Sequence, residues 1–367
     1  MEVGISLSMG FGTEKTGDMS SQIVAVSKAL PPFTKSTPEI IPFIEQWLTT
    51  KDERLRRKAI KIFENSGIDR RYSIMPAERV FIDRDFGEKN DLYIEGARKL
   101  ANESLAEALK KAKWTADSLD AIITVSCTGI MIPSVDAFLI NDFEMKQDIM
   151  RLPVTEMGCA AGISGMIYAD QYLRANPESR VAVVAVESPL STFQLRDFSM
   201  VNIVSAAIFG DGAACVLMSS EKSAAGPRLL DQQMYHFYDA ERMMGFDLKE
   251  RGLHMVLDPS VPETIKQHFP DIIHPFLKRS GLEIKDINHL VFHPGGRKIV
   301  QTVEELFGQL GKSIEDTREV LRLYGNMSSA TVLFVLERFM NRSPQKGEKG
   351  LMLSFGPGFS AQRILLE

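Results

Sequence analysis

Apolar and polar positions alternate along most of this chain in runs of strand or helix length. The stretch Gln22–Ala29 (QIVAVSKA) predicts a first strand, and residues 39–48 and 54–61 predict helices after a proline-rich segment. Residues 93–113 consist of good helix formers and predict a long amphipathic helix. Beyond them, β-branched apolar runs alternate with helical stretches, which predicts an α/β fold with buried strands.

The second half of the chain repeats the order of elements found in the first half. An apolar strand (AIITVS) ends at Cys127 and precedes a helix, and a second strand (HLVF) ends at His293 and again precedes a helix. Further along each half, Cys159 and Asn326 stand before a helix of small or apolar residues. The separation of Cys127 from Cys159 equals that of His293 from Asn326 to within one residue. This agreement predicts a duplicated architecture.

A third correspondence joins the apolar runs at residues 181–188 and 350–358. Because the three correspondences occur in the same order, we predict two similar halves rich in βαβ units. The first half comprises residues 1–225 and the second residues 226–367. The polar, small-residue segment 221–227 is suited to link them.

The repeat also predicts where a site lies. Open α/β sheets build their sites at the carboxyl ends of strands, where the chain turns into a helix. Cys159, His293 and Asn326 all stand at such corners of the two halves. If the halves pack face to face, these three side chains converge.

The composition narrows the function classes. The chain is 44% hydrophobic and 25% charged, which is ordinary for a globular protein, and its net charge of −5 gives no reason to expect a nucleic-acid partner. No apolar run approaches the roughly 20 residues of a membrane helix, so no integral membrane segment is predicted. Residues 1–21 lack the basic start and apolar stretch of a secretory signal.

The cysteines and histidines indicate the cellular location and bear on whether a metal site is present. Cys127, Cys159 and Cys215 form no CxxC pair and are too few for a disulfide framework, which favours a reducing, cytoplasmic location. The six histidines form no HExxH motif and no cluster with cysteine. We therefore predict no metal site.

Cys159 is the first candidate for chemistry. It follows Gly158 and precedes Ala-Ala-Gly at a predicted helix start. Unpaired N–H groups and the helix dipole at such a start favour a thiolate and an oxyanion. The plain alternative is an inert buried cysteine, which is the commoner case for this residue type. The position after glycine at a helix start favours a nucleophile that carries an acyl group.

His293 and Asn326 are the second and third candidates. The Pro-Gly-Gly that follows His293 predicts a ring at a corner with little side-chain cover, although a core histidine bonded to a carbonyl is an alternative. Asn326 is equally suited to cap the next helix. A Cys–His–Asn set also occurs in papain-like hydrolases, but neither the cysteine nor the histidine stands in a motif of that class, and the duplication has no role there. Acyl transfer with carbon–carbon bond formation fits better, with Cys159 holding the acyl group and the other two donating to a thioester oxygen.

Five segments resemble the type III polyketide synthases, the chalcone and stilbene synthase-like members of the thiolase superfamily. They are VTEMGCAAG around Cys159, IFGDGAA around Phe209, VFHPGG at His293, YGNMSSATVLF at Asn326, and SFGPGFSAQ near the C-terminus. They occur in the family's order from about residue 31 onward. The resemblance implies a thiolase-like, five-layered αβαβα fold, a homodimer, and acyl-CoA and malonyl-CoA as substrates with no cofactor.

The resemblance also implies roles for individual residues. Cys159 is the nucleophile, and His293 and Asn326 serve decarboxylation and the oxyanion. Phe209 falls where the family has an aromatic gate between the coenzyme A tunnel and the cavity, although simple core packing is the alternative. Lys58 and Lys61 match two basic residues that meet the coenzyme A phosphates, where a solvated helix face is nearly as good an explanation. The third basic position falls at Asn65, and Lys298 is a further candidate for this contact.

Several cavity positions depart from the plant chalcone synthases. The second gate falls at Met255, and Phe246 stands where plant enzymes often have glycine, which implies a smaller or reshaped elongation cavity. Cys127 and Thr128 fall at two cavity positions of Thr/Ser type, in an SCTG form that resembles bacterial members. Ile132 falls where many members send a methionine into the partner's cavity.

Three further residues, Glu187, Thr192 and Ser328, are expected to shape the cavity. The nearest rival function is an initiating ketoacyl synthase that condenses once with malonyl on acyl carrier protein. A rival of another class is a non-catalytic acyl-CoA-binding relative, against which the joint presence of Cys159, His293 and Asn326 argues. The starter, the number of extensions and the cyclisation route do not follow from the sequence.

Overall fold

The computed structural model describes residues 20–221, 224, 226–309 and 311–367. The prediction that residues 1–21 carry no secretory signal therefore lies almost wholly outside the described residues. The predicted division between residues 225 and 226 falls in a segment that is described only in part, and it stays a prediction. None of the helices in the described ranges combines the length and apolar character that a membrane span requires.

The chain alternates helices and strands throughout. The helices are α1 (Thr37–Trp47), α2 (Glu53–Glu64), α3 (Ala77–Val80), α4 (Phe86–Ala112), α5 (Val135–Asp142), α6 (Ala161–Ala175), α7 (Met200–Ile208), α8 (Val261–Arg279), α9 (Arg297–Gly308), α10 (Glu315–Tyr324) and α11 (Thr331–Asn341). The strands are β1 (Gln22–Ala29), β2 (Phe33–Ser36), β3 (Arg70–Ser73), β4 (Ala121–Val125), β5 (Met150–Val154), β6 (Arg180–Glu187), β7 (Gly212–Ser219), β8 (Leu229–His236), β9 (Met244–Lys249), β10 (Gly252–Leu257), β11 (His289–Phe292), β12 (Gly350–Gly356) and β13 (Ser360–Leu366). The predicted first strand and the strand before His293 have the bounds that the sequence indicated.

Two mixed sheets carry the duplication. The first has the order β1-β7-β6-β4-β5, with β4 parallel to both β5 and β6 and the other pairs antiparallel. The second has the order β8-β13-β12-β11, with β11 parallel to β12. Strands β8, β13, β12 and β11 thus correspond to β1, β7, β6 and β4, which confirms the predicted repeat of strand and helix.

The repeat is incomplete at one element. In the first half, the segment before Cys159 contains β5, which pairs with β4. In the second half, the segment before Asn326 contains α10, which ends at Tyr324. Within the described residues, β11 is the edge strand of the second sheet, so no strand corresponds to β5. The spacing between corresponding residues is nearly the same in both halves although the local structure differs. What the two halves share is the corner residue and the helix that follows it.

The elements stack in five layers. Helices α4 and α5 cover the outer face of the first sheet, α6 and α11 lie between the sheets, and α8 and α9 cover the outer face of the second sheet. Successive residues of a strand point to opposite faces, so Ile122 packs outward and Ile123 inward. This arrangement confirms the α/β, five-layered αβαβα fold implied by the sequence. The inner layer delivers the starts of α6 and of α11 to one place.

Helix α4 begins at Phe86, earlier than the predicted residue 93. Asp85 caps the helix by accepting a hydrogen bond from the N–H of Glu88 at 2.9 Å, and the Glu88 carboxylate accepts one from the N–H of Asp85 at 3.2 Å. This reciprocal pair is a capping box, a pattern readable in the sequence as Asp-Phe-Gly-Glu. The extra turns bring the start of α4 close to the cavity described below.

Gly162 in α6 lies against the backbone of the second half. A Cβ placed at this position would come within 2.3 Å of the carbonyl oxygen of Ser329, in the short turn before α11. Backbone cannot yield as a flexible side chain does. The absence of a side chain at Gly162 therefore allows the two central helices to approach, and with them the corners that carry Cys159 and Asn326.

We expect Gly162→Ala to destabilise the protein by about 1–3 kcal/mol, the usual range for overpacking a core. It should also lower activity, because the corner of Cys159 is pushed away from that of Asn326. Gly308→Ala at the end of α9 is a matched control, since a Cβ there meets nothing within 4 Å. Thermal unfolding of both variants measures the effect, and equal melting temperatures would contradict this account of the helix approach.

Candidate active site

Cys159 stands in a short 3₁₀ turn, Gly158–Ala160, that leads directly into α6. Gly158 has a φ of +50°, and a Cβ there would lie 2.6 Å from Pro357, so glycine is needed at this turn. Ser354 donates a hydrogen bond to the carbonyl oxygen of Cys159 at 2.9 Å. The corner is therefore fixed by β12 and the loop after it, in the other half of the molecule.

The Cys159 thiol is buried, with 9% of the residue exposed. Burial raises its pKa to about 11, while hydrogen bonds from Ser328, Asn326 and its own backbone N–H act in the opposite direction. The lowering of the thiol pKa expected from the helix start is thus outweighed by burial in the unliganded site. Its Sγ lies 3.7 Å from the hydroxyl of Ser328.

His293 follows β11, and its backbone N–H donates to the carbonyl oxygen of Leu353 at 2.9 Å. The expectation of a ring with little side-chain cover was wrong, because the residue is only 3% exposed. Burial lowers the pKa of His293 to about 3, which leaves the ring neutral at physiological pH. Among the described residues, neither ring nitrogen has a hydrogen-bond partner. Buried polar atoms are nearly always paired, so two free nitrogens point to a ligand.

Asn326 serves the capping function that the sequence left open. Its side-chain oxygen accepts hydrogen bonds from the N–H of Ser328 at 2.8 Å and from the hydroxyl of Thr331 at 3.2 Å, which caps the turn before α11. Its amide nitrogen donates to the carbonyl oxygen of Gly295 at 3.2 Å. The same residue therefore ties the start of α11 to the loop that carries His293.

The three candidates line one internal cavity, which we call the histidine chamber. Its walls are Cys159, Ile208, Phe209, Met244, Met255, Leu257, His293, Gly295, Ile299, Asn326 and Phe355. Apart from the three candidates, its side chains are apolar. Such a setting strengthens the hydrogen bonds that a bound thioester makes with the few polar groups present.

A second cavity lies on the other side of Cys159, and we call it the elongation chamber. It is lined by Cys127, Thr128, Gly158, Cys159, Phe209, Met244, Gly245, Phe246, Met255, Ser328 and Pro357. Cys159, Phe209, Met244 and Met255 line both chambers. Phe209 and Met255 therefore stand between them, at the place expected of gate residues, and Phe246 lies on the elongation side.

Met244 is a lining residue that the sequence analysis missed. It lies two residues before Phe246 on β9, so both side chains point to the same face of the strand. Strand β9 pairs with β10, where Phe246 is opposite Met255. Period-two alternation in this hairpin was the signal that would have identified Met244.

Glu187 supports the elongation chamber and does not line it. It is fully buried at the end of β6 and accepts hydrogen bonds from the N–H of Cys127 at 3.0 Å and the hydroxyls of Thr128 at 2.8 Å and Ser329 at 2.6 Å. Burial raises the pKa of this carboxyl, and the hydrogen bonds act against the rise. Glu187 thereby joins the loop after β4 to the turn before α11.

Cys127 and Ser328 extend this polar wall. The Cys127 Sγ lies 3.4 Å from the hydroxyl of Ser328 and 3.6 Å from a Glu187 oxygen. Burial raises the pKa of the Cys127 thiol well above its usual value, and the neighbouring carboxylate acts in the same direction. A neutral thiol fits the predicted role of Cys127 as a lining residue.

Two predicted cavity residues do not reach these chambers. Thr192 lines a neighbouring space that shares only Thr128 with the elongation chamber, and its hydroxyl donates to the carbonyl oxygen of Pro189 at 2.7 Å. Ile132 is 92% exposed, on the loop after β4.

The basic residues form a rim on the surface. Lys58 and Lys61 are exposed on α2, and Lys298 is exposed at the start of α9. The guanidinium of Arg297 donates to the carbonyl oxygen of Asn65 at 3.0 Å, which joins the end of α2 to the start of α9. The three lysines therefore lie on two adjoining helices, with Lys61 in the last turn of α2 and Lys298 in the first turn of α9. Within the described residues, no group of three or more His, Cys, Asp or Glu side chains is arranged to hold a metal ion.

Comparison with known proteins agrees with this geometry. The family model for the N-terminal domain of chalcone and stilbene synthases matches residues 13–222, and that for the C-terminal domain matches residues 231–367. The 1,3,6,8-tetrahydroxynaphthalene synthase of Streptomyces peucetius subsp. caesius is 31% identical, over 95% of this chain and 93% of its own length. Phloroglucinol synthase of Pseudomonas fluorescens is 27% identical, over 84% of this chain and 88% of its own.

A solved structure shows the same architecture. The crystal structure of 1,3,6,8-tetrahydroxynaphthalene synthase from Streptomyces coelicolor A3(2), described as a bacterial type III polyketide synthase, matches with a TM-score of 0.88 at 28% identity. The match covers 94% of this chain and 98% of that chain. Both family domains, the curated relatives and this structure thus agree: the chain belongs to the chalcone and stilbene synthase family of type III polyketide synthases, which are acyltransferases.

Proposed function

We propose that Cys159 takes an acyl group from acyl-CoA, and that the enzyme extends it by repeated decarboxylative condensation with malonyl-CoA and then cyclises the chain. The observation that carries the residue assignment is His293. Its ring is buried with both nitrogens unpartnered, and it faces the same chamber as Cys159 and Asn326. This supports a site built to hydrogen-bond a ligand's carbonyl oxygen next to a thiol.

Loading requires a proton acceptor, because the thiol is neutral in the free site. In our proposal, His293 takes the proton of Cys159 as the sulfur attacks the starter thioester. The new bond joins the acyl carbon to Cys159, the bond from that carbon to coenzyme A breaks, and the departing thiolate receives the proton from His293. The neutral ring has a nitrogen lone pair for this proton, and the negative charge that develops on the Cys159 sulfur offsets the burial that otherwise disfavours the protonated ring.

Extension uses the same two donors. Malonyl-CoA loses carbon dioxide, and the electron pair of the broken bond forms an enolate whose oxygen accepts hydrogen bonds from His293 and the Asn326 amide. The enolate carbon then attacks the Cys159 thioester, and the Cys159 thiolate leaves. The lengthened chain on coenzyme A is reloaded onto Cys159 for the next round. These steps balance with no metal or redox cofactor.

The remaining assignments are proposals of the same kind. Lys58, Lys61 and Lys298 bind the phosphates of coenzyme A, which is supported by their exposure on α2 and α9, two helices joined by the hydrogen bond from Arg297 to Asn65. The protein forms a homodimer, supported by the exposure of Ile132 next to the elongation chamber. A cytoplasmic location is supported by three free thiols, one of which must stay reduced to act.

The relatives support a proposal for the product class. Curated relatives are named for tetrahydroxynaphthalene and phloroglucinol synthesis, and we propose a pyrone, a resorcinol or a phloroglucinol- or naphthalene-type product here. Pure protein incubated with a series of acyl-CoA starters and labelled malonyl-CoA, followed by mass spectrometry, tests this. Products of two or more extensions without carrier protein are expected. A single condensation that requires malonyl on acyl carrier protein would identify an initiating ketoacyl synthase instead, and binding without turnover would identify a non-catalytic relative.

Phe246 should limit the number of extensions. Its ring lines the elongation chamber beside Cys127 and Thr128, so removing it enlarges the space for the growing chain. We expect Phe246→Gly to shift the products by at least one additional malonyl unit. Phe246→Leu, which keeps most of the volume, is the matched control. Liquid chromatography with mass spectrometry gives the chain lengths, and identical product profiles for both variants would refute a limiting role.

A further inference from the structure

A third chamber adjoins the elongation chamber, and we call it the lysine chamber. It is lined by Phe86, Lys89, Asn90, Thr128, Ser191, Thr192, Gln194, Gly252 and Leu253. Thr128 lines both this chamber and the elongation chamber, so its side chain stands between the two spaces. Cys159 and Thr128 line the elongation chamber, and Thr128 and Lys89 line the lysine chamber, so an acyl chain on Cys159 would have to pass Thr128 to reach Lys89.

Lys89 is the only charged residue that lines this chamber. Its ammonium donates to the side-chain oxygen of Gln194 at 2.9 Å and to the carbonyl oxygen of Arg251 at 3.3 Å, and both acceptors are uncharged. An ammonium group has three N–H donors, so one N–H of Lys89 remains after these two hydrogen bonds. Within the described part of the chain, Lys89 forms no ion pair with a carboxylate.

Carboxylates do lie near Lys89, but other groups use them. Asp83 pairs with Arg196 and with Arg251, each at 2.5 Å, and so accepts two guanidinium groups. The Asp85 side chain caps α4. Neither carboxylate accepts a hydrogen bond from the ammonium of Lys89, whose two acceptors are uncharged.

Burying this ammonium without a hydrogen-bonded carboxylate costs free energy. Burial lowers the pKa of Lys89 to about 8, the positive charge of Arg251 acts in the same direction, and the negative charge of Asp83 acts against both. The group is nevertheless mostly protonated at neutral pH. A half-buried cation that faces a cavity and has no carboxylate in hydrogen-bond contact is suited to bind an anionic ligand.

We infer that Lys89 determines starter specificity by binding a carboxylate at the far end of the acyl chain, so that the preferred starters are the coenzyme A monothioesters of dicarboxylic acids. This rests on the proposed loading of Cys159. The thioester end occupies Cys159, the methylene chain passes Phe246 and Thr128 in the elongation chamber, and the distal carboxylate reaches the ammonium. The carboxylate then forms an ion pair with the Lys89 ammonium, which has no such partner among the described residues.

A purely structural role for Lys89 makes a different prediction. Its two hydrogen bonds connect α4 to the segment of Gln194 and to the start of β10. If this link were its whole function, a neutral donor would serve as well. Substitution would then lower the rates with all starters together and lower the melting temperature. The two roles are therefore separated by which substrates are affected.

The test compares pairs of starters that differ only at the far end. Succinyl-, glutaryl- and adipyl-CoA are each paired with the methyl-ended acyl-CoA of equal carbon number, and acylation of Cys159 is followed by intact-protein mass spectrometry. A charge-assisted hydrogen bond changes affinity about 10- to 100-fold. We expect the wild-type protein to prefer the dicarboxylic member of at least one pair by that factor. Lys89→Met should abolish the preference and change loading of the methyl-ended partner less than threefold.

Two further variants complete the design. Lys89→Arg keeps the charge and should keep the preference, and Lys99→Met on the exposed side of the same helix should behave as wild type. The inference is overturned if the wild-type protein shows no preference at any chain length, or if Lys89→Met slows both members of each pair equally. If Lys89→Met does not fold, the wild-type series and Lys89→Arg decide. Loading is measured without malonyl-CoA, so a failure to extend any starter would refute the proposed function and leave this result separately readable.

Discussion

Cys159→Ala should abolish polyketide formation while leaving the decarboxylation of malonyl-CoA largely intact. Loss of a nucleophile that forms a covalent intermediate costs about 10⁴-fold or more, because no other group of the site can hold the acyl chain. Decarboxylation needs only the enolate donors, which on our assignment are His293 and Asn326. We therefore expect acetyl-CoA to accumulate from malonyl-CoA at a rate within about tenfold of wild type, since the donors contribute their usual stabilisation without Cys159.

Cys127→Ala is the matched control for this prediction. Cys127 lies in the same pocket wall, 3.4 Å from the hydroxyl of Ser328, and it is also a buried, neutral thiol. If it only lines the chamber, its loss should change the rate less than about tenfold, as expected for removing one small side chain. Intact-protein mass spectrometry should show an acyl adduct on Cys127→Ala and none on Cys159→Ala. An adduct that depends on Cys127 instead would reverse the assignment of the nucleophile.

Much of the fold could be predicted because its signals are local. Strand β1 and the strand before His293 were read from short apolar runs, and the repeat was read from the order of corners. The start of α4 was missed although its capping box is also local. The repeat predicted a common corner before Asn326 but not that α10 replaces a strand there, because equal spacing says nothing about the conformation of the residues between two corners.

The site could be predicted as a set of residues but not as a geometry. Glu187 was expected to shape the cavity, and the structure shows that it holds the wall together from behind, through donors from both halves. Thr192 lines a neighbouring space. Lys89 was not predicted as a site residue, because the sequence shows only one charged residue near the start of a predicted helix. Whether a residue lines, supports or misses a cavity depends on contacts between distant segments, and those are set by packing of the five layers.

Burial of His293 also had no signal in the sequence, and it shapes the second prediction. A Pro-Gly-Gly turn normally lies at the surface, yet here His293 is 3% exposed and lines a chamber whose walls include Phe355 and Ile299. Enclosure keeps the ring neutral and leaves both nitrogens without a protein partner. Because the ring makes no hydrogen bond within the described residues, substituting His293 tests its role in the chemistry more directly than its contribution to stability.

His293→Gln should lower both decarboxylation and condensation by about 10²- to 10³-fold, the usual cost of losing one donor to a developing oxyanion. Loading should slow as well, because glutamine cannot accept the thiol proton. Stability should change by less than about 1 kcal/mol, since the substitution breaks no hydrogen bond made by the ring. Asn326→Ala offers the contrast: its oxygen caps the turn before α11, so it should lose stability as well as activity. Rates of acetyl-CoA release measured alongside melting temperatures separate the two variants. A His293→Gln enzyme that decarboxylates at the wild-type rate would remove His293 from the oxyanion site, and one that melts far below wild type would give it a structural role instead.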